Sequence, residues 1–482
     1  MILKDLLSGV DVLKLTSVAE REITGVTNDS RKVKPGNIFV AVPGYVEDGA
    51  KYIDMAVEAG AVAVVSESMR DVPVDHVLVK DARRALSAIA ANFYGRPSEQ
   101  MTVVGITGTN GKTTTTYILK DLIERCIGAP CGLIGTNEVI IGDEVSEASR
   151  TTPESVEIQA YLSSMLNKGI KYAVMEVSSH ALKLHRVDDV RFEVGVFTNL
   201  SQDHLDFHDS MEDYLDSKVL LFKMCRRGVI NLDDSAAEYI INNSDCEILS
   251  FSTEDLSADV VARNIRYSPS SVEFEALGVE EIYRAELEIP GKFSVYNGLA
   301  SIATATVLGV PLVEAAGALK HCRGVKGRAE VVPTGRDFTI IIDYAHTPDG
   351  LENILLTLKE FTKGRLITVF GAGGNRDRKK RPLMGQTVER YSDICIVTSD
   401  NPRSEEPRAI IADILEGMSD KEKQVIIPDR VEAIGYAIKH AEKGDVILLA
   451  GKGHETYQEI NGKKNHMDER EIVRSFLSLG DS

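Results

Sequence analysis

The stretch VVGITGTNGKTTTTYILKDLIERC, Val103 to Cys126, contains a Gly-Lys-Thr triplet at 111–113 that could hold a phosphate group. That chemistry needs backbone amides turned inward by tight turns, a mobile positive charge, and a hydroxyl able to reach a metal ion. Gly105, Gly108 and Gly111 offer the turns, Lys112 the charge and Thr113 the hydroxyl. The spacing departs from the usual phosphate loop, which has a glycine where this chain has Ile106. The flanks nevertheless fit. MTVVGIT before the loop is a continuous apolar strand candidate, and Ile118, Leu119, Leu122, Ile123 and Cys126 after it recur at helical spacing over about fourteen residues. A nucleotide site is a better reading than a chance lysine in a glycine-rich turn. A second stretch, FGAGGNR from Phe370, fails as a dinucleotide fingerprint, because Arg376 stands where the third glycine belongs. An NAD-dependent dehydrogenase is set aside.

Loops of this kind are presented at the carboxyl ends of strands in open α/β sheets. Residues 1–98 carry the short runs NIFVAV, AVAVVS and DHVLV, then a helical segment ARRALSAIAANFYG closed by Gly95 and Pro97. Residues 99–330 hold the phosphate loop with YAVMEVS and VGVFTNLS, which predict a buried parallel sheet. Residues 331–482 restart the pattern with FTIIIDYAH, RLITVFGAGG, ICIVTSDNPR, QVIIPD and VILLAGKGHE, with helical stretches between them. That alternation predicts a second doubly wound α/β domain.

A chain of 482 residues exceeds one ordinary core, and 43% hydrophobic with 27% charged residues is a soluble, globular balance. No apolar run approaches the ~18–20 residues of a membrane helix, and the first residues lack a secretory cleavage pattern. A cytoplasmic protein is expected. The six cysteines form no CxxC pair and read as buried thiols of a reducing compartment. The net charge of −18 opposes nonspecific binding to nucleic acid or anionic lipid, so an anionic substrate needs a local basic or amide-lined site.

GTNGKTT at Gly108 resembles the phosphate loop of the Mur ligase family and its relatives, the folylpolyglutamate synthetases. TTPES at Thr151, MEVSSHAL at Met175, FTNLSQDHLDFH at Phe197, YNGLAS at Tyr296, GRAE at Gly327 and DYAHTPDG at Asp343 match in order, so the likeness spans essentially the whole chain. GAGGNRDRKKRPLMG, TSDNPRSEEPRAI and AGKGHETYQ look like the diaminopimelate-adding form. The resemblance implies an α/β protein of three domains: 1–98 for the UDP-substrate, 99–330 a central phosphate-loop ATPase around a parallel sheet, and 331–482 a Rossmann-like domain for the incoming amino acid. It implies an ATP-dependent ligase of peptidoglycan precursor synthesis, with UDP-MurNAc-L-Ala-D-Glu and meso-diaminopimelate as partners, Mg²⁺ as cofactor, and a monomer. The acid would be activated as an acyl phosphate, a transfer that depends on positioning and charge neutralisation.

Carried over by motif, Gly108, Thr109, Asn110, Gly111, Lys112, Thr113 and Thr114 would hold ATP, with Asn297, Arg328 and Asp343. Thr113, Glu176 and His204 would bind metal, an oxygen-rich set suited to Mg²⁺. Lys218, in the resembling ligases, is carbamylated by CO₂, which exchanges a cation for an oxygen ligand. Lys112, Glu176, His204 and Lys218 are thus the candidate catalytic residues. Read alone, Glu176 is a surface carboxylate, His204 a structural histidine and Lys218 a solvated helix lysine. Ser30, Thr151, Thr152, Ser178 and Arg186 fall on the UDP-substrate side. The family commonly has a glutamine two positions before that arginine, where this chain has Leu184.

The incoming amino acid would meet Arg376, Asp400, Asn401, Pro402, Arg403, Gly451 and Glu455. Diaminopimelate is lysine with a second carboxylate at its far end, and an arginine fork pairs bidentately with such a group. The family's lysine-adding members lack this arginine, so Arg403 argues for diaminopimelate and Glu455 would take its amine. Arg403 read alone is a turn arginine pairing with Glu405 or Glu406. The alternatives are a lysine-adding or other ligase of the family, and a binding protein that uses the phosphate loop as a switch.

Overall fold

Each apolar run is a strand, and all but the edge strand at QVIIPD are largely buried. The computed structural model describes residues 1–16, 20–44, 47–148, 150–204, 207–268, 270–279, 281–322 and 324–479. Its strands are β1 (Val12–Leu15), β2 (Gly25–Thr27), β3 (Asn37–Val40), β4 (Ala63–Ser66), β5 (Asp75–Val79), β6 (Thr102–Thr107), β7 (Cys131–Ile134), β8 (Glu138–Ile141), β9 (Glu144–Glu147), β10 (Tyr172–Glu176), β11 (Phe192–Phe197), β12 (Cys225–Asn231) and β13 (Glu247–Ser252). They continue as β14 (Val260–Tyr267), β15 (Val272–Leu277), β16 (Ile282–Leu287), β17 (Glu330–Val332), β18 (Thr339–Asp343), β19 (Leu366–Phe370), β20 (Ile394–Val397), β21 (Gln424–Ile426), β22 (Val446–Ala450), β23 (Tyr457–Ile460) and β24 (Lys463–His466). The chain forms two compact units, Met1–Val261 with Leu299–Ala315, and Ala262–Gly298 with Ala316–Ser482.

The first unit begins with a sheet of order β1-β5-β4-β3-β2, parallel except for β1. Because side chains alternate along a strand, Ile38, Val40, Val65 and Val77 pack on one face with Leu86 and Ile89 of the helix Ala82–Phe93. Phe39 and Val64 face the other way, onto Ile53 and Ala56. Asp81 caps that helix by accepting from the amides of Arg83 and Arg84. The unit's central sheet runs β13-β12-β11-β6-β10-β7, all parallel, and continues antiparallel through β8 and β9. With β6 between β10 and β11, the loops after these three strands open on one edge. The register fixes this, pairing Ile106 with Glu176 and Thr107 with Phe197.

In the second unit β15 and β16 form an antiparallel hairpin, and the main sheet has the order β17-β18-β22-β19-β20-β21, parallel except for β17. Ile340, Ile342, Ile367, Val369 and Leu449 line one face, and Ile341, Leu366, Val446 and Leu448 the other. Each such fully buried side chain contributes roughly 1.5–3 kcal/mol. The loops after β18, β19, β20 and β22 therefore share one sheet edge. These are YAHT, GAGGNR, TSDNPR and GKGHE.

The α/β class agrees with the sequence reading, as do the strands at NIFVAV, MTVVGIT, YAVMEVS and VILLAGKGHE. The helix after the phosphate loop is Lys112–Leu122, prolonged by a π-helical turn at Ile123–Ile127. Strands β1, β2, β7–β9, β12–β17, β23 and β24 lie outside the apolar runs of the sequence reading. No helix among the described residues is long and apolar enough to cross a membrane. All six cysteines are free, with Cys126 and Cys246 half-buried where burial was expected.

Candidate active site

The displaced glycine of the phosphate loop has a structural explanation. Ile106 lies inside β6, fully buried and paired with β10, so an apolar residue is required there. The turn starts later, at Gly108, whose φ is 148° and where a Cβ would stand 1.9 Å from Thr198 Oγ1. The loop is held from β11: the Thr109 amide donates to Asn199 O at 2.8 Å, the Asn110 amide to Asn199 Oδ1 at 2.9 Å, and Thr198 Oγ1 donates to Asn110 O at 2.6 Å. Lys112 Nζ donates to the carbonyls of Gly108 and Thr109, each at 2.8 Å, which lays the ammonium across the loop mouth. Thr114 follows in the first turn of the helix.

Glu176 is 1% exposed, so the surface-carboxylate reading fails. Its Oε2 accepts from Thr113 Oγ1 and Thr136 Oγ1, both at 3.0 Å, and its Oε1 from the Thr136 amide at 2.8 Å. Hydroxyls and a carboxylate are hard oxygen donors of the kind Mg²⁺ takes. No group of three or more His, Cys, Asp or Glu able to hold a metal occurs among the described residues. A magnesium ion here would rest on Thr113 and Glu176 and draw its other ligands from phosphate and water, which is its usual habit. His204 has φ 55°, with its ring 4.8 Å from that of His180 and its Nε2 3.5 Å from Asp203.

Lys218 is not a solvated helix lysine. On the helix Met211–Met224 it is 1% exposed, with Nζ 4.2 Å from the centre of the Tyr214 ring and no ion pair among the described residues. Burial, seconded by the charge of Lys112, holds its pKa well below the usual lysine value. The neutral form that burial favours has its lone pair free to attack an electrophile such as CO₂. Tyr214 is itself buried, its phenol pushed up to about 12, and its hydroxyl lies 3.2 Å from Thr109 Oγ1. The platform under Lys218 is thereby tied to the phosphate loop.

On the UDP-substrate side, Ser30 lines a cavity of about 910 Å³ with Phe39 and a mixed set of charges, in which Lys32 pairs with Glu157 and Arg150 with Glu154. Thr151 Oγ1 lies 3.1 Å from Thr136 Oγ1, and Thr152 Oγ1 donates to Glu176 O at 2.9 Å and receives the Ser178 amide at 3.0 Å. Arg186 Nη1 donates to Thr152 O at 3.1 Å while Nη2 pairs with Glu154 at 2.8 Å. Thr151, Thr152, Ser178 and Arg186 thus form one cluster beside Glu176. Leu184 ends the helix Ser179–Lys183 without a polar side chain to offer.

In the second unit, Asp343 ends β18, with Oδ1 accepting from the Ala345 amide and Oδ2 from the Ala329 amide. Desolvation raises its pKa, against the pull of Arg328. Arg328 stacks 4.9 Å from the Tyr344 ring, and Asn297 is buried on the helix Lys292–Val307. Arg403 sits in left-handed backbone, φ 50°. It pairs with neither Glu405 nor Glu406: its Nε donates to Glu459 at 3.2 Å and its Nη1 to Gly374 O at 2.8 Å. Its Nη2 makes no hydrogen bond among the described residues. A Cβ on Gly374 would come within 1.9 Å of Pro402 O, so the loops after β19 and β20 lie back to back. Arg376 is exposed on the first of them. Asp400 Oδ2 is buried without a hydrogen-bond partner, and a Cβ on Gly451 would meet it at 2.7 Å. Asn401 Nδ2 donates to Glu455 Oε2 at 2.8 Å.

Sequence reasoning missed Thr136, Tyr214, Lys452 and Glu459. Lys452, between the two chosen residues of GKGHE, was the one with a visible signal, a lysine set between glycines after a buried strand.

Comparison with known proteins places these clusters in context. Residues 22–94 match the model of the Mur ligase family catalytic domain, 106–305 the Mur ligase middle domain, and 327–453 the Mur ligase glutamate ligase domain. A protein of Caldanaerobacter subterraneus subsp. tengcongensis, UDP-N-acetylmuramoyl-L-alanyl-D-glutamate--2,6-diaminopimelate ligase, is 51% identical over 99% of both chains. The chain belongs to the Mur ligase family. A Clostridioides difficile relative of the same name is 44% identical across 99% of this chain and 100% of its own. A solved structure of a UDP-N-acetylmuramoyl-L-alanyl-D-glutamate--2,6-diaminopimelate ligase superposes with TM-score 0.76 at 32% identity, covering 100% of this chain and 99% of that one. These Mur ligase relatives are named as ligases, which disfavours a mere nucleotide switch.

Proposed function

We propose that this chain is an ATP-dependent amide ligase joining meso-diaminopimelate to UDP-MurNAc-L-Ala-D-Glu in peptidoglycan precursor synthesis. The names of its full-length relatives support the reaction. The choice of diaminopimelate is carried by one observation: Arg403 is anchored through Nε and Nη1 while Nη2 stays open for a distal carboxylate. Free thiols throughout agree with a cytoplasmic setting.

In this reading residues 1–98 hold the UDP group at the Ser30 cavity, 99–330 hold ATP, and 331–482 hold the amino acid. Lys112 exchanges its loop carbonyls for phosphate oxygens. Thr113 and Glu176 would hold a magnesium ion, with His204 as a further donor, and the ion would supply neutralisation of charge on the transferring phosphoryl group. Lys218, as its carbamate, offers an oxygen where the amine stands now. Thr152, Ser178 and Arg186 seat the muramoyl peptide, whose carboxylate takes the γ-phosphoryl group. Asp400 and Glu455 receive the ammonium groups of diaminopimelate; the one that reacts first gives a proton to solvent, and its freed amine attacks the acyl phosphate, so that the C–O bond breaks and phosphate leaves with the second proton as the amide forms. Asn297, Arg328 and Asp343 serve the nucleotide.

The test is phosphate release from ATP with the UDP-dipeptide, comparing meso-diaminopimelate with lysine, in wild type and Arg403→Ala. The variant is expected to lose roughly fivefold to 150-fold in kcat/KM for diaminopimelate, the scale of ~1–3 kcal/mol for one lost charged partner. Preferential lysine incorporation by the wild type would overturn the assignment of substrate.

A further inference from the structure

Lys452 follows Gly451 after β22 and is fully buried, 0% exposed. Its ammonium donates to Glu455 Oε2 at 2.6 Å and to Asn401 Oδ1 at 2.8 Å, and lies 5.3 Å from the Tyr457 ring. Asn401 is spent in the same network: its Oδ1 also accepts the Glu459 amide at 2.9 Å, and its Nδ2 donates to the same Glu455 oxygen. Gln458 Nε2 adds a bond to Asp400 O at 2.7 Å. The cation therefore sits beneath three pieces of chain: the DNPR loop, the GKGHE loop and strand β23.

We propose that Lys452 is a positioning and selectivity residue for the incoming amino acid, resting on the reading of this pocket as the diaminopimelate site. Glu455 Oε2 already receives two donors, which directs Oε1 toward a substrate ammonium. The charge of Lys452 also offsets one of the two carboxylates, Asp400 and Glu455, that flank Gly451. Remove it, and the pocket presents an excess negative charge to any ligand. A substrate with two carboxylates suffers more from that field than one with a single carboxylate. Lys452 touches no substrate in this scheme. It sets the charge balance and the geometry of those that do.

The experiment measures steady-state phosphate release in wild type, Lys452→Met and Lys452→Gln, with diaminopimelate and with lysine as the single-carboxylate comparator, and with thermal melts of each protein. Expected is a fall of about tenfold or more in the diaminopimelate-to-lysine ratio of kcat/KM. The fall should come mainly through KM for diaminopimelate, with KM for ATP held within about twofold. Lys452→Gln keeps a hydrogen-bond donor and loses the charge, so it should show the same loss of selectivity with a higher melting temperature than Lys452→Met. A ratio within twofold of wild type in Lys452→Met overturns the proposal, and Lys452→Gln decides it if the methionine variant does not fold. A wild type that ignores diaminopimelate would instead sink the underlying assignment.

Discussion

Lys218 and Lys452 are both lysines out of contact with solvent, yet their surroundings differ in kind. Lys452 has a carboxylate at 2.6 Å and an amide oxygen at 2.8 Å, so its charge is met on the spot. Lys218 has an aromatic ring at 4.2 Å, the like charge of Lys112 in its field, and only the more distant pull of Asp203 and Asp234. Isolated in low dielectric, an ammonium gives up its proton before it gives up its hydration. One buried lysine is thus a fixed cation that shapes a pocket. The other sits where burial favours the neutral amine, the form that carbon dioxide converts into an anionic carbamate.

The largest effect expected from that contrast is on turnover. Lys218→Met should lower substrate-dependent phosphate release by about 10³-fold, the scale of losing one preorganised group that stabilises transition-state charge. Millimolar acetate should restore part of it by supplying the missing carboxylate oxygen. A methionine variant with the wild-type rate would erase the distinction between the two lysines.

A smaller signature lies in stability. Between the depressed pKa of folded, unmodified Lys218 and the unfolded value of about 10.4, the unfolded chain holds a proton that the folded chain does not. Stability therefore rises with pH through that window. Urea midpoints in CO₂-free buffer should show Lys218→Met ahead of wild type at pH 7, with the gap closing toward pH 10. An unchanging gap would mean the amine is charged in the fold.

The smallest expected effect uses a third buried cation. Arg381, 1% exposed, is met by Glu405 and Asp413, and that pairing holds the Glu405 carboxyl at about 2. The stabilisation is complete above the ordinary glutamate value of about 4.3 and fades as pH falls through about 2. Glu405→Gln should melt a few degrees below wild type at neutral pH and converge with it in acid. A constant offset across that range would assign the loss to packing, not charge.

Much of the fold was legible because parallel strands covered on both faces leave unbroken apolar runs, as at MTVVGIT and VILLAGKGHE. The hairpin β23–β24 was not, since YQEI and KKNH are half-buried to exposed and carry no such run. The site divided the same way. Motif residues such as Lys112, Glu176 and Arg403 announce themselves by their neighbours in sequence. Glu459 pairs with Arg403 from 56 positions away, and nothing local marks a glutamate as the anchor of a distant arginine. The burial of Lys218 was equally hidden, because nothing in MEDYLDSKVLLFKM marks which of its polar residues turns inward.

Gly374 and Pro402 touch backbone to backbone, so neither loop can be lengthened or lifted without dislodging its neighbour. Families that diversify by grafting insertions onto their binding loops have no such freedom at this point. A change of amino-acid preference here must come from exchanging side chains on a fixed frame. Directed evolution of the pocket should accordingly favour point replacements at Arg376, Arg403 and Glu459 over any library of loop lengths.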